Sequence, residues 1–315
     1  MRNQTILFTL LGGGLLSFLL YTTDFNVVVQ TLRALTLSQF IGVIGLQILT
    51  IGCISLQWKI LANHLEMPLR YFRVFEMNMV AKFFESITPA LKTGGEAYKL
   101  YYLRIHGEPV KNGMTLIMIQ KFISISVFTL LFVVFLSITV LMGVALDNVF
   151  HLSVIGVIVL LILTIITVTV TVFIKRQTLN DGRFFPLLLK RVTLLKNNPL
   201  ALFTHVLLSI LIWLMYGVKT SFIVYSLGVD LSFVLSTLTT YSAYLISMIP
   251  VTPGGLGTFE GTFVFMLPQF GILSGTALGI VMTLRLATFW FQLALSALYL
   301  FCKFSIGRWR RYATM

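Results

Sequence analysis

Pro250-Val-Thr-Pro-Gly-Gly-Leu-Gly-Thr-Phe-Glu260 is the stretch on which the reading of this chain turns. It breaks a segment, 231–270, that is otherwise apolar and dense in hydroxyls: Ser232, Ser236, Thr237, Thr239, Thr240, Ser242 and Ser247. A second stretch, Thr88-Pro89 through Thr93-Gly94-Gly95-Glu96, has the same parts in the same order. Each holds Thr-Pro, then Gly-Gly, then a glutamate seven residues after the proline. Glu260 less Glu96 gives an offset of 164 residues. That offset also lays the apolar run 39–61 on 203–225 and the start of 112–146 on 276–310, and it carries Lys121 onto Arg285. Agreement of motif, flanking runs and a basic pair marks an internal repeat.

The composition says what kind of solvent this repeat faces. Of 315 residues, 57% are hydrophobic and 10% charged, and mean hydropathy is +0.95. Soluble domains have roughly 45–50% apolar and about 25% charged residues. An ordinary cytosolic enzyme, a disordered chain and a small secreted scaffold are excluded. The 23 Lys+Arg against 10 Asp+Glu give +13 at pH 7, which in so apolar a chain favours a membrane protein over a nucleic-acid binder. Cys53 and Cys302 lie in apolar stretches without ligand spacing, so neither a disulfide framework nor a metal site is implied.

A bilayer core of about 30 Å needs about 20 apolar residues per helix. Six stretches qualify: 6–22, 39–61, 112–146, 152–174, 200–228 and 276–300. The first follows Arg2 but ends at Tyr21-Thr22-Thr23-Asp24 without a small-residue cleavage site, so it reads as an uncleaved anchor. Two broken segments remain, 74–105 and 231–270. Non-helical backbone at membrane depth survives only inside protein or beside a wet cavity, so both read as re-entrant hairpins. The expected fold is an all-α polytopic membrane protein of six full spans plus two re-entrant hairpins in inverted repeats. Repeat one covers 6–146 and repeat two 152–305, in a single transmembrane domain 1–315.

Basic residues set the orientation. With the N-terminus inside, 18 Lys/Arg fall on inner segments, and the outer loops hold Arg33 against Asp24, Asp147 and Asp230. Both termini are then cytoplasmic. Three spans separate the two motifs, and an odd number reverses direction, so the hairpins would enter from opposite sides. Broken helices of inverted repeats that meet near the midplane form the substrate site of many secondary transporters.

A helix starting inside the membrane offers unpaired N–H groups and a positive dipole end, suited to phosphate or carboxylate. Gly94 and Gly95, and Gly254, Gly255 and Gly257, stand at such starts. They either cradle an anion or merely turn the chain. Glu96 follows Thr93 at capping-box spacing, whereas Gly257 leaves Glu260 without a reciprocal hydroxyl. Either glutamate could instead contact a cationic or hydroxyl-rich headgroup or carry a proton. Lys121 and Arg285 are the sharper signal, because a basic residue at mid-helix costs about 2.5–3.5 kcal/mol on insertion. They should face protein or water, and pair with phosphate or with Glu76, Glu85, Glu96 or Glu260. Lys82 and Glu85, three apart on one face, are placed to pair with each other; Lys219 is a weaker candidate. No cofactor is implied, the four histidines are scattered, and neither a P-loop nor a Gly-x-Ser-x-Gly elbow occurs.

With these motifs laid out, the chain resembles the flippase-like transmembrane domain of lysylphosphatidylglycerol synthetases, which also forms a family of stand-alone bacterial and archaeal membrane proteins. The resemblance runs over roughly 5–305. It rests on Thr88-Pro89, on Thr93-Gly-Gly-Glu-Ala-Tyr-Lys-Leu-Tyr-Tyr-Leu103, on Lys121, on Pro250 through Glu260, and on Arg285. It implies movement of a lipid between leaflets, aminoacylated phosphatidylglycerol in the full-length synthetases. The soluble lysine-attaching domain has no counterpart in the 315 residues. The family often has Glu-Arg where Gln120-Lys121 stands, and commonly a shorter Pro-to-Glu spacing in its first motif. Those departures bear on the identity of the lipid more than on the fold.

The sequence therefore leads to a prokaryotic plasma-membrane protein that binds a lipid with an anionic or zwitterionic headgroup and passes it across by alternating access. Lys121 and Arg285 would hold the phosphate, with Lys82 and Glu85 nearby. The competing expectations are a membrane-embedded enzyme acting on a polyprenyl phosphate or phospholipid headgroup, with Glu76 or Glu85 as acid or base, and a non-catalytic partner of a separate synthetase.

Overall fold

Among the described residues, four helices are long and apolar enough to cross a bilayer: Leu37–His64, Val110–Leu141, Pro199–Ser226 and the run Ser274–Lys303. They belong to a computed structural model that describes residues 25–88, 93–144, 184–248 and 252–313. The helices are α1 Phe25–Ala34, α2 Leu37–His64, α3 Tyr71–Ile87, α4 Thr93–Ile105, α5 Val110–Leu141 and α6 Phe184–Lys196. They continue with α7 Pro199–Ser226, α8 Phe233–Ser247, α9 Thr258–Met266, α10 Ser274–Arg285 and α11 Phe291–Ala313. No strand occurs among the described residues. The protein is all-helical, with the four spans expected at 39–61, 112–146, 200–228 and 276–300 in place. The spans expected at 6–22 and 152–174 lie outside the described residues.

Local chemistry starts several helices where the sequence marks them. The Thr36 hydroxyl accepts from the Gln39 N–H at 3.3 Å while the Gln39 side chain accepts from the Thr36 N–H at 2.9 Å, a capping box that opens α2. Asn198 accepts from the Ala201 N–H ahead of Pro199 at the start of α7, where a missing N–H costs nothing. Ser232 caps α8 through the Leu235 N–H. At 1.5 Å per residue, the 28 residues of α2 and of α7 reach about 42 Å, more than a hydrocarbon core.

Shifted by 164 residues, α2 falls on 201–228, α3 on 235–251, α4 on 257–269 and α5 on 274–305, close to the observed bounds of α7, α8, α9 and the α10–α11 run. Equivalent helices also swap partners: α3 packs on α11 and α8 packs on α5. α2 and α7 lie side by side and antiparallel, since Gln47 meets Lys219 and, ten residues on, Gln57 meets Ser209. Between α10 and α11 the helix widens into a π-turn over Leu286–Trp290, immediately after Arg285. Such turns are rare and recur at functional sites.

Three apolar clusters hold these helices. One, around Trp58, Leu61, Met67, Leu103 and Leu116, joins α2 to α4 and α5. A second, around Ile223, Phe259, Phe263, Leu278 and Leu284, joins α7, α9 and α10. A third joins the two halves: Phe128, Phe132 and Phe135 of α5 meet Tyr241 of α8, with the Trp213 ring of α7 tilted against Phe128 at 4.3 Å between centroids. Phe122, Leu130, Phe203, Leu298 and Phe301 are each more than half exposed, which a spanning helix tolerates where it meets lipid.

α4 seats on α3 through a glycine. A Cβ on Gly95 would lie 2.8 Å from the Ala81 carbonyl oxygen, so backbone has to move to admit it. Gly95→Ala is expected to lower stability by about 1–3 kcal/mol, the cost of overpacking, read as a drop in thermal midpoint in detergent. An unchanged midpoint would show that the two helices do not need this contact.

Candidate functional site

The break that opens α9 depends on its glycines. Gly254, Gly255 and Gly257 have φ of 62°, 67° and 83°, in the left-handed region that only glycine enters freely. The resulting turn aims the carbonyl oxygens of Gly254 and Gly255 at Arg285, whose Nη1 and Nη2 donate to them at 3.1 and 2.8 Å. Arg285 Nε donates to Glu260 Oε1 at 2.7 Å, and Glu260 Oε2 accepts from the Gly257 N–H at 2.7 Å. The carboxylate half of a capping box therefore forms without a hydroxyl half. The rings of Phe259 and Phe289 sit 4.5 and 5.0 Å from the guanidinium carbon. Side-chain exposure is 7% for Arg285 and 2% for Glu260. This is a sealed ion pair with its spare donors met by backbone, the condition under which buried charges persist. Two N–H groups of the break are already engaged, Gly255 with the Thr252 carbonyl and Gly257 with Glu260. The break thus offers oxygen to a cation through Gly254 and Gly255.

The equivalent pair in the first half is open. Glu96 Oε1 lies 3.5 Å from Lys121 Nζ and 3.7 Å from Lys99 Nζ. Side-chain exposure is 38% for Lys121, 20% for Glu96 and 13% for Lys99. Glu96 Oε2 is buried and has no hydrogen-bond partner among the described residues. Thr93 is the first residue of α4, and Glu96 Oε1 faces Lys121 and Lys99; the capping box expected there turns on the Thr93 side chain, which lies outside the described residues. A Cβ on Gly94 would lie 2.5 Å from Thr88 Oγ1; with Gly95, it lets α4 approach α3. Glu96 with Lys121 and Glu260 with Arg285 are thus two acid–base pairs, each 25 residues apart in sequence and related by the 164-residue offset.

The sequence named both pairs among its alternatives, and also the Lys82–Glu85 pair, which forms at 3.1 Å. Glu76 pairs with Lys303. The two broken segments touch: the 253–255 turn packs on α3, and a Cβ on Gly254 would lie 3.5 Å from the Ser86 carbonyl oxygen. A cavity of about 350 Å³ is bounded by Leu35, Thr36, Leu37, Phe40, Thr283 and Leu286, with none of these charges in its lining.

Sequence reasoning missed Lys99, which bridges Glu96 and the Trp58 ring, 4.2 Å from its centroid. Its spacing of three from Glu96 was the available signal. It also underrated Lys219, which is fully buried and donates to Gln47 and Thr50. Gln47 and Gln292, polar amides inside apolar spans, were the pointers to that cluster.

The model of the family described as "Lysylphosphatidylglycerol synthase TM region" matches residues 5–296. A UPF0104 membrane protein of Archaeoglobus fulgidus is 23% identical over 263 residues, 75% of this chain and 77% of the relative. One from Methanocaldococcus jannaschii is 22% identical over 263 residues, covering 78% of each chain. A third, from Pyrococcus horikoshii, is 22% identical over 265 residues, 75% of this chain and 78% of its own. With apolar helices of spanning length, a match over nearly all its residues and membrane-protein relatives of similar extent, this chain is an integral membrane protein that belongs to the lysylphosphatidylglycerol synthase transmembrane-region family.

Proposed function

We propose that the protein translocates a phosphate-headed lipid between leaflets by alternating access, without P-loop ATP hydrolysis. The observation that carries this reading is the pair of repeat-related ion pairs in different states. Glu260–Arg285 is closed at 2.7 Å with both side chains buried, and Glu96–Lys121 is loose at 3.5 Å and partly exposed. Two equivalent gates, one shut and one ajar, are what an alternating-access cycle requires of any single state. The antiparallel α2–α7 pairing and the exchanged helix contacts support inverted repeats, with α3–α4 and α8–α9 as re-entrant hairpins and six spans in all. In this reading Lys121 and Lys99 attract the phosphate, and the unfilled Glu96 Oε2 accepts from a hydroxyl or ammonium of the headgroup. The excess of basic residues on inner segments supports a plasma-membrane protein with both termini in the cytoplasm.

The test is reconstitution into vesicles of phosphatidylethanolamine and phosphatidylglycerol that carry a fluorescent phosphatidylglycerol. Wild type is expected to move the label between leaflets with its mass unchanged, and Lys121→Gln to slow that movement at least about tenfold, the effect of losing one charge-assisted contact of roughly 1.5–3 kcal/mol. A changed lipid mass would replace this reading with a lipid-modifying enzyme. Equal rates for wild type and Lys121→Gln would remove Lys121 from the path. Movement that appears only when a synthetase is added would make the protein that enzyme's partner.

A further inference from the structure

Lys219 lies within α7, seven residues or about 10 Å from its C-terminal end, at 0% exposure. Lys82, Lys99, Lys121 and Arg285 are each held by a carboxylate. Lys219 takes part in none of the ion pairs found among the described residues. Its Nζ donates to Gln47 Oε1 at 2.6 Å and to Thr50 Oγ1 at 3.3 Å, and it sits 4.3 Å from the centroid of the Tyr216 ring. All three partners are neutral. The Thr50 hydroxyl proton is directed at the Leu46 carbonyl at 2.7 Å, so its oxygen accepts from the ammonium. Rotated the other way, the same hydroxyl can donate to a neutral amine. The packing therefore satisfies the nitrogen in either protonation state, which a carboxylate partner would not.

The cluster also touches the parts that a transport cycle would move. Gln47 continues to Gln292 of α11, donating at 3.0 Å. The Tyr216 ring is 4.8 Å from Tyr244 of α8, Tyr244 is 5.0 Å from Phe259, and Phe259 lies against Arg285. A ladder of rings thus joins Lys219 to the sealed Glu260–Arg285 pair. The groups that face Lys219 are few. α2 presents neutral Gln47 and Thr50, α7 itself Tyr216, and α8 Tyr244. α3 sets Lys82 and Glu85 within electrostatic reach of this neighbourhood. α10 contributes Arg285, α5 meets α7 through neutral Ser124 and Phe128, and the charges of α6 lie more than 20 residues back along the chain. The repeat equivalent of Lys219 is Ser55, so this charge exists in one half only.

We propose that Lys219 is a proton-binding site that couples lipid movement to a proton gradient. This rests on the translocation reading above. Losing the proton removes the cation–π attraction to Tyr216 and weakens the hold on Gln47, which loosens α7 against α2 and α8 beside the sealed pair. A carrier that moves one proton per lipid converts a gradient of about one pH unit into about a tenfold lipid asymmetry.

Two measurements separate the failure of this idea from the failure of its premise. In the vesicles described above, wild type is expected to bias labelled phosphatidylglycerol about tenfold under a gradient of about one pH unit and to reverse the bias with the gradient. Lys219→Arg, which cannot release its proton, and Lys219→Met are expected to show no bias. Wild-type movement indifferent to the gradient, or a bias kept by Lys219→Arg, overturns the proposal. If wild type moves no lipid at all, translocation itself has failed, and the second measurement decides about the lysine. With ¹⁵N-lysine-labelled protein in detergent, the side-chain signal absent from Lys219→Arg is expected to pass from ammonium to amine as pH rises, and to shift on adding dihexanoylphosphatidylglycerol. An ammonium signal unchanged by pH and by that lipid, throughout the range in which the protein stays folded, overturns it.

Discussion

Glu260→Ala is expected to destabilise the protein by about 3–5 kcal/mol, because it leaves the Arg285 guanidinium buried without its counter-charge. Arg285 is 7% exposed, and Glu260 accepts from both its Nε and the Gly257 N–H, so α9 loses an end cap with the ion pair. Lys121→Ala, the equivalent change in the open half, is expected to cost less than about 1 kcal/mol, since a partly exposed pair is worth little. The comparison is read from thermal or denaturant midpoints of the two variants in the same detergent. Similar losses would mean that the two halves are not in different states, and would remove the asymmetry on which the functional reading rests. Removing both charges with Glu260→Leu and Arg285→Met should recover only part of the loss, because the Gly254 and Gly255 carbonyls lose their donors.

The second large effect is expected at Gly254→Ala. Its φ of 62° is strained for any residue with a Cβ by about 1–2 kcal/mol. A Cβ there would also lie 2.5 Å from Phe289 Cε2, pushing aside a ring that rests against Arg285. Strain and displacement together should cost about 2–4 kcal/mol. Gly271→Ala is the control: φ is 81°, but nothing lies within 4 Å of the new methyl, so only the conformational cost applies. Equal midpoints for the two variants would show that Phe289 yields freely and does not brace the arginine.

Much of the helical layout was legible because spanning helices declare themselves by local composition. The runs at 39–61, 112–146, 200–228 and 276–300 needed only length and hydropathy to be recognised. The pairing of Lys82 with Glu85 needed only helical spacing. Association of Glu96 with Lys121, and of Glu260 with Arg285, was one of several pairings open to the sequence, because nothing local chooses among acids on separate helices. The glycines show why such reasoning stops where it does. Gly94, Gly95, Gly254 and Gly255 mark breaks in either role, but whether a break points its N–H groups or its carbonyls inward depends on the sign of φ and on what packs opposite. Gly254 and Gly255 turn oxygen toward Arg285, and Gly95 makes room for the Ala81 carbonyl. The Gln47–Lys219–Gln292 cluster draws on α2, α7 and α11, with no spacing rule to bring its members together.

The widened turn at Leu286–Trp290 places one surplus residue of backbone between Arg285 and Gln292. An ordinary α-helix advances about 100° per residue, so taking up one surplus residue would screw everything beyond it by roughly a quarter of a revolution. Gln292 would swing off Gln47 while Arg285 stayed seated. Torsion along a single helix axis could therefore unfasten one polar contact and keep another.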